Sequence, residues 1–194
     1  FHLERMTLLA DRLGGIHRGI PTVHVAGTKG KGSTAAMVTS ILTAQGYTTG
    51  LYTSPALHSV VERIRVGLDP VYKQDFAALV DRVWPESLWV EEHACYGAVM
   101  FFEFVTAMAF LHFAEEAVDM AILETGLGGR LFIRKSYVTE LRGVVDQTLP
   151  EPCPHVEVGV DVGRLGQFDS LGVERREECK NFPDYRFLTV RLCI

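Results

Sequence analysis

Val23-His24-Val25-Ala26-Gly27-Thr28-Lys29-Gly30-Lys31-Gly32-Ser33-Thr34 is the stretch whose reading decides the fold. A short β-branched run enters a loop carrying Gly27, Gly30 and Gly32, and a helical pattern starts at once. Glycine lets a backbone turn its N–H groups inward and come close to an anion. A helix N-terminus adds partial positive charge there, and Lys31 adds a full one. The stretch reads as a phosphate cradle between a strand and a helix. It departs from the common P-loop spacing, since Val25 stands where the first glycine belongs and Gly32 separates Lys31 from Ser33. The bland alternative is an ordinary glycine-rich turn, which does not account for lysine, glycines and hydroxyls falling together.

Outward from the loop, Leu3, Met6, Leu9 and Leu13 recur at near-helical spacing and Gly14-Gly15 ends the run. Thr22 to Ala26 reads as a short buried strand. Met37, Val38, Ile41 and Leu42 read as one apolar helical face closed by Gly46, and Thr48 to Thr53 as the next strand. Strand, loop, helix and strand take about thirty residues, the size of a βαβ unit. Ser54-Pro55 then breaks the chain at a strand's carboxyl end, where open α/β sheets bind ligands. Taken alone, Ser-Pro is only a turn.

Glu62 to Val66 alternates like a half-exposed strand, and Phe76, Leu79, Val80 and Val83 mark an amphipathic helix that Pro85 is expected to stop. Trp84, Trp89 and Tyr96 read as packing. Gly97 to Val118 is the most apolar segment, long enough to raise a transmembrane reading. Glu103 lies inside it and no Lys or Arg flanks it to set topology, so a helix buried against the sheet fits better. A buried glutamate needs a partner, and beside a phosphate loop a divalent cation is the expected one. Val118 to Thr125 reads as a third, parallel strand, and Gly126-Leu127-Gly128-Gly129-Arg130 opens a further tight loop. Leu131 stands where a dinucleotide fingerprint would need its last glycine.

Bulk properties narrow the classes. Composition is that of a soluble globular chain, with 47% hydrophobic and 22% charged residues. A net charge of −5 and a pI near 5.8 argue against a nucleic-acid partner. The four cysteines show no Cys-x-x-Cys spacing, which favours a reduced, cytoplasmic setting without membrane association. An opening on Phe1, without an initiator Met, reads as a fragment or a processed product.

Gly27 to Ser33, Leu51-Tyr52-Thr53-Ser54-Pro55, Glu62-Arg63-Ile64, Phe102-Glu103-Phe104 and Glu124 to Arg130 together resemble the folylpolyglutamate synthase/dihydrofolate synthase branch of the Mur ligases. Lys29 replaces that branch's usual asparagine, and Ala56 its histidine after the proline. The resemblance covers residues 1–131, the ATP-binding domain. Residues 132–194 do not match the family and are expected to form an irregular tail that adds nothing to the parallel sheet. The implied fold is α/β, a three-layer P-loop-type parallel sheet with flanking helices, as in a truncated Mur ligase central domain.

The resemblance implies ATP-driven amide formation between a folate or dihydropteroate carboxylate and L-glutamate, through an acyl phosphate, with Mg²⁺ and in a monomer. It assigns Gly27, Thr28, Lys29, Gly30, Lys31, Gly32, Ser33 and Thr34 to ATP and gives Lys31 the catalytic role at the β/γ end. It assigns Ser33, Ser54 and Glu103 to the metal, with Arg63 and Arg130 as helpers or structural residues. Because the resemblance ends at Leu131, before the family's metal-binding histidine, carbamylated lysine and second domain, the chain is expected to retain nucleotide binding without ligation. The competing readings are a Mur-type ligase of other substrates and a non-catalytic ATP-binding remnant.

Overall fold

The computed structural model describes residues 3–27, 29–126, 155–161 and 187–193. In chain order, α1 (Leu3–Arg12) precedes β1 (Thr22–Gly27), α2 (Lys31–Ala44) and β2 (Thr49–Tyr52). A 3₁₀ turn (Val60–Arg63), β3 (Ile64–Val66) and β4 (Asp69–Pro70) follow, then α3 (Lys73–His93), α4 (Phe101–Glu115) and β5 (Met120–Glu124). The last two strands are β6 (His155–Asp161) and β7 (Phe187–Cys193).

The strands form one seven-stranded sheet in the order β4-β3-β2-β5-β1-β6-β7. Its centre is parallel: β5 pairs with β1 through Val23↔Ile122 and with β2 through Leu51↔Ile122. The βαβ unit read from the sequence is present, but its two strands never touch, because β5 lies between them. Such a sheet aligns the carboxyl ends of β1, β2 and β5 side by side, and the loops leaving them meet at one edge. Both flanks are antiparallel, β3 and β4 on one side and β6 and β7 on the other.

Residues 155–161 and 187–193 correct the expectation of an irregular tail. No further parallel strand is added, but two antiparallel ones are, with Val158 opposite Val25 on β1 and opposite Val190 on β7. The stretches Val156-Glu157-Val158-Gly159-Val160 and Leu188-Thr189-Val190-Arg191-Leu192 alternate with the period of a strand, a signal outweighed by the charge-rich sequence around them.

Strand alternation divides the core between two faces. Val23, Val25, Leu51, Met120 and Ile122 face α2, where Ala35, Val38 and Leu42 meet them. Tyr52, Ala121 and Leu123 face the opposite side, covered by α1, α3 and α4. Of the expected apolar face of α2 only half is covered: Met37 and Ile41 are 52% and 60% exposed. In α4 every residue from Val105 to Phe113 is buried, so the apolar segment is an interior helix. No helix among the described residues is long and apolar enough to cross a membrane.

Pro85 does not stop α3, which runs on to His93. An interior proline costs a helix about 3 kcal/mol through its missing N–H and its ring. Here it lies on the exposed face, where water can take the carbonyl it leaves unbonded. Leu79, Val83, Ser87 and Val90 carry the buried stripe straight past it, each buried Leu or Val giving about 1.5–3 kcal/mol. The tryptophans pack as expected. Trp84 meets Phe104 edge-on, and Trp89 stacks on His93 at 4.3 Å beneath the Arg12 guanidinium.

Candidate functional site

Three loops meet at the carboxyl edge of the parallel strands. The first leaves β1. Gly30 takes φ +73° as it caps α2, a left-handed conformation that glycine adopts without strain. The Thr34 N–H closes the first turn onto the Gly30 carbonyl at 2.9 Å. The N–H groups of Lys31, Gly32 and Ser33 then have no acceptor within the helix, the ordinary state of a first turn. No side chain caps this end and no acidic residue of α2 lies in its first turn, so its positive end stays open to an anion. Lys31 Nζ donates to the Gly27 carbonyl at 3.1 Å, which holds the ammonium over the loop.

The second loop leaves β2 with Ser54, and the third leaves β5 with Glu124, Thr125 and Gly126. Glu124 joins all three. Its Oε2 accepts the Ser54 N–H at 3.0 Å and lies 3.3 Å from where a Cβ on Gly32 would stand. Any side chain at position 32 would press on that carboxylate, so the absence of one lets α2 approach. Thr125 fastens β5 to β1, its hydroxyl donating to the Val25 carbonyl at 3.0 Å. The Ser54 hydroxyl oxygen lies 3.7 Å from where a Cβ on Gly126 would stand, beside the Phe102 ring.

The sequence-derived assignments fall out unevenly. Gly27 closes β1, Lys29 and Gly30 lie on the first loop, Lys31 and Gly32 open α2, and Thr28 lies outside the described residues. Ser33 is exposed at the start of α2, and it is Gly32 that faces Glu124. Thr34 turns inward: it is 1% exposed, and its buried hydroxyl has no partner among the described residues.

Glu103 is the main correction. Its Oε2 accepts Arg5 Nε at 2.8 Å and its Oε1 accepts Arg5 Nη2 at 2.9 Å. Oε2 also accepts the Met100 N–H at 2.8 Å, so the same carboxylate caps α4. Its charge is already neutralised by a bidentate fork, which leaves no reason for a cation. The buried carboxylate at the loops is Glu124, whose stretch belongs to the resemblance although no role was assigned to it. Its signal was its place, the last residue of an apolar parallel strand immediately before a glycine-bearing loop.

Glu124 and the Ser54 and Ser33 hydroxyls are hard oxygen donors of the kind Mg²⁺ takes. Among the described residues no three His, Cys, Asp or Glu gather into a metal cluster. Mg²⁺ commonly uses one or two carboxylates and completes its shell with phosphate and water. His24, in the middle of β1, is no acid–base candidate: burial holds its pKa down to about 4.

No family model matches the chain. Among curated proteins, the dihydrofolate synthase/folylpolyglutamate synthase of Bacillus subtilis is 46% identical over 129 residues, covering 66% of this chain and 30% of that protein. The Mycobacterium tuberculosis folylpolyglutamate synthase solved with ADP superposes with a TM-score of 0.64 at 40% identity, covering 66% of this chain and 29% of the other. A folylpolyglutamate synthase in complex with AMPPCP and folate gives a TM-score of 0.62 at 35% identity, covering 66% and 31%. The chain thus spans under a third of the length of these relatives. The match falls on its N-terminal two thirds, the part that carries the parallel strands and their loops. Identity at this level over one continuous stretch, on the same strand core, marks common descent: the N-terminal two thirds of this chain is homologous to the folylpolyglutamate synthase/dihydrofolate synthases.

Proposed function

We propose that this chain supplies the ATP- and Mg²⁺-binding part of a ligase that joins a folate-type carboxylate to L-glutamate. The observation that carries the reading is the placement of Glu124 between the open N-terminus of α2 and Ser54. An anion-binding helix end and a metal-binding carboxylate at one strand edge suit a nucleoside triphosphate with its cation better than any uncharged ligand. The relatives solved with ADP and with AMPPCP and folate support the nucleotide and the acid. A reduced, cytoplasmic setting accords with Cys95, exposed and free.

In this reading the substrate carboxylate oxygen attacks the γ-phosphorus, a new O–P bond forms, and the bond to the β,γ-bridging oxygen breaks to release ADP. The amine of glutamate then attacks the acyl carbon and loses a proton as inorganic phosphate leaves. The protein's part in the first step is electrostatic, because charge gathers on phosphate oxygens. We assign the N–H groups of Gly30 to Ser33 to the β- and γ-phosphate oxygens and Lys31 to the outer phosphates, for which its ammonium must leave the Gly27 carbonyl. Glu124, Ser54 and Ser33 would hold Mg²⁺, which neutralises phosphate charge when bound.

The test is calorimetry on the 194-residue chain with Mg²⁺ present. Lys31→Ala is expected to weaken ATP by roughly 2–3 kcal/mol, the size of a charge-assisted contact, while barely changing AMP. Equal losses for both nucleotides would remove Lys31 from the outer phosphates, and no ATP binding by the unaltered chain would remove the reading.

A further inference from the structure

We propose that Arg63 is the receptor for the carboxylate of the acid substrate, the group that the proposed function phosphorylates; the inference rests on that reading. Arg63 ends the 3₁₀ turn before β3, and its carbonyl accepts the Thr53 N–H at 3.1 Å, which fixes it beside Ser54. Its guanidinium lies 5.4 Å from the centre of the Phe101 ring. The ring of Phe102, the next residue, lies 3.4 Å from where a Cβ on Gly126 would stand, and the Ser54 hydroxyl lies 3.7 Å from the same point.

The guanidinium Nε and Nη1 are buried and have no hydrogen-bond partner among the described residues. Arginine keeps its charge at any relevant pH, and a buried charged donor left unpaired is costly. The group offers two edges, Nε with Nη2 and Nη1 with Nη2, each with one unpartnered donor, while the guanidinium also hydrogen-bonds the Tyr52 phenol. Arg5 shows the contrast, with Nε and Nη2 both engaged by Glu103. Burial pushes the Tyr52 phenol up, and the Thr106 hydroxyl, the Arg63 charge and a hydrogen bond with Arg63 oppose it, so Tyr52 is a neutral hydrogen-bond partner of Arg63 and no counter-ion. Glu62, the adjacent carboxylate, accepts the N–H groups of Leu57, His58 and Ser59 instead. Arg63 remains a half-buried cation without an anion.

Its position selects which anion. The phosphate-binding turn leaves β1, and β5 separates β1 from β2. At about 4.8 Å per strand, that sets the cradle roughly 10 Å from the β2 line, with Arg63 on the far side of β2. Tyr52 and Arg63 also lie toward the face covered by α4, opposite α2. A group there meets what approaches the γ-phosphate from the other side of Ser54, and a planar carboxylate matches a guanidinium edge.

The experiment compares binding of pteroate and its neutral carboxamide, pteroamide, to the 194-residue chain with AMPPCP and Mg²⁺. The unaltered chain is expected to prefer pteroate by about tenfold, the scale of a charge-assisted pair. Arg63→Gln is expected to bring the two ligands level, with AMPPCP affinity within twofold. Arg63→Lys keeps the charge without the fork and is expected to restore part of the preference; it also serves as the test should Arg63→Gln not fold. An undiminished preference in both variants, no preference or no binding in the unaltered chain, or a tenfold loss of AMPPCP in Arg63→Gln would each overturn the proposal. A chain that discriminates the two pterins yet binds no nucleotide would sink the nucleotide reading and leave Arg63 its role.

Discussion

Glu103 and Glu124 are buried to nearly the same degree, 7% and 8% exposed, one at the start of a helix and the other at the end of a strand. Glu103 sits between α1 and α4, where the Arg5 fork and the Met100 N–H take both its oxygens. Glu124 receives the Ser54 N–H on one oxygen and faces the side-chain-free surface of Gly32. The first arrangement is complete without a ligand; the second keeps lone pairs directed at an open helix end. Burial alone does not mark a functional carboxylate. What a neighbouring cation or N–H already supplies decides whether there is anything left for a ligand to do.

That contrast breaks most sharply at Arg5. Arg5→Met would leave Glu103 buried and unpaired, and urea denaturation is expected to show a loss of about 3–5 kcal/mol. Arg5→Met with Glu103→Leu should recover most of it, since an apolar pair needs no counter-charge. Nucleotide affinity of the folded protein should be the same in both. A smaller effect is expected at Glu124→Gln, which keeps shape and removes charge. Stability should change little, while the Mg²⁺-dependent part of ATP affinity should fall by about 2 kcal/mol, as for a lost charged contact. If Glu103→Gln and not Glu124→Gln abolished the Mg²⁺ dependence, the two roles would be exchanged.

The smallest effect belongs to a third carboxylate. Glu62 is partly exposed, and the N–H groups of Leu57, His58 and Ser59 hold its pKa below the usual carboxylate value. A group whose folded value is depressed contributes fully above its unfolded value and loses that contribution as pH falls through the folded one. Amide exchange at residues 57–59, corrected for its intrinsic rate, should show steady protection from neutral pH down to the ordinary glutamate range and a loss below it. Glu62→Gln should show the low-pH behaviour at every pH, with little change in the unfolding midpoint.

The strand, loop and helix around Gly27 to Lys31 were legible in the sequence because their signals are local: glycines, a lysine and a change of period within a dozen or so residues. The same holds for α1, β5 and the interior helix α4. What local reading could not reach were partners far along the chain. Arg5 and Glu103 lie 98 residues apart, and Ser54 and Glu124 lie 70 apart. Glu103 stood out because it interrupts an apolar helix, whereas Glu124 closes an apolar strand and looks like its boundary. Pro85 was misread for the opposite reason, a strong local signal overruled by the buried stripe on either side of it.

The placement of β5 between β1 and β2 also sets a timetable for the ribosome. The two outer parallel strands and both their loops are translated first, yet neither strand pairs with the other. Ser54 emerges 70 residues before Glu124, a delay of roughly 4 to 14 seconds at 5–20 residues per second. During that interval the nascent chain carries two strand edges whose shared partner has not been made. Such edges invite pairing with other chains, so this is a stretch of synthesis in which a chaperone has something to hold. The Val25 carbonyl waits longer still, for a threonine 100 residues downstream. The site is complete only once the five-residue β5 between β1 and β2 has been made.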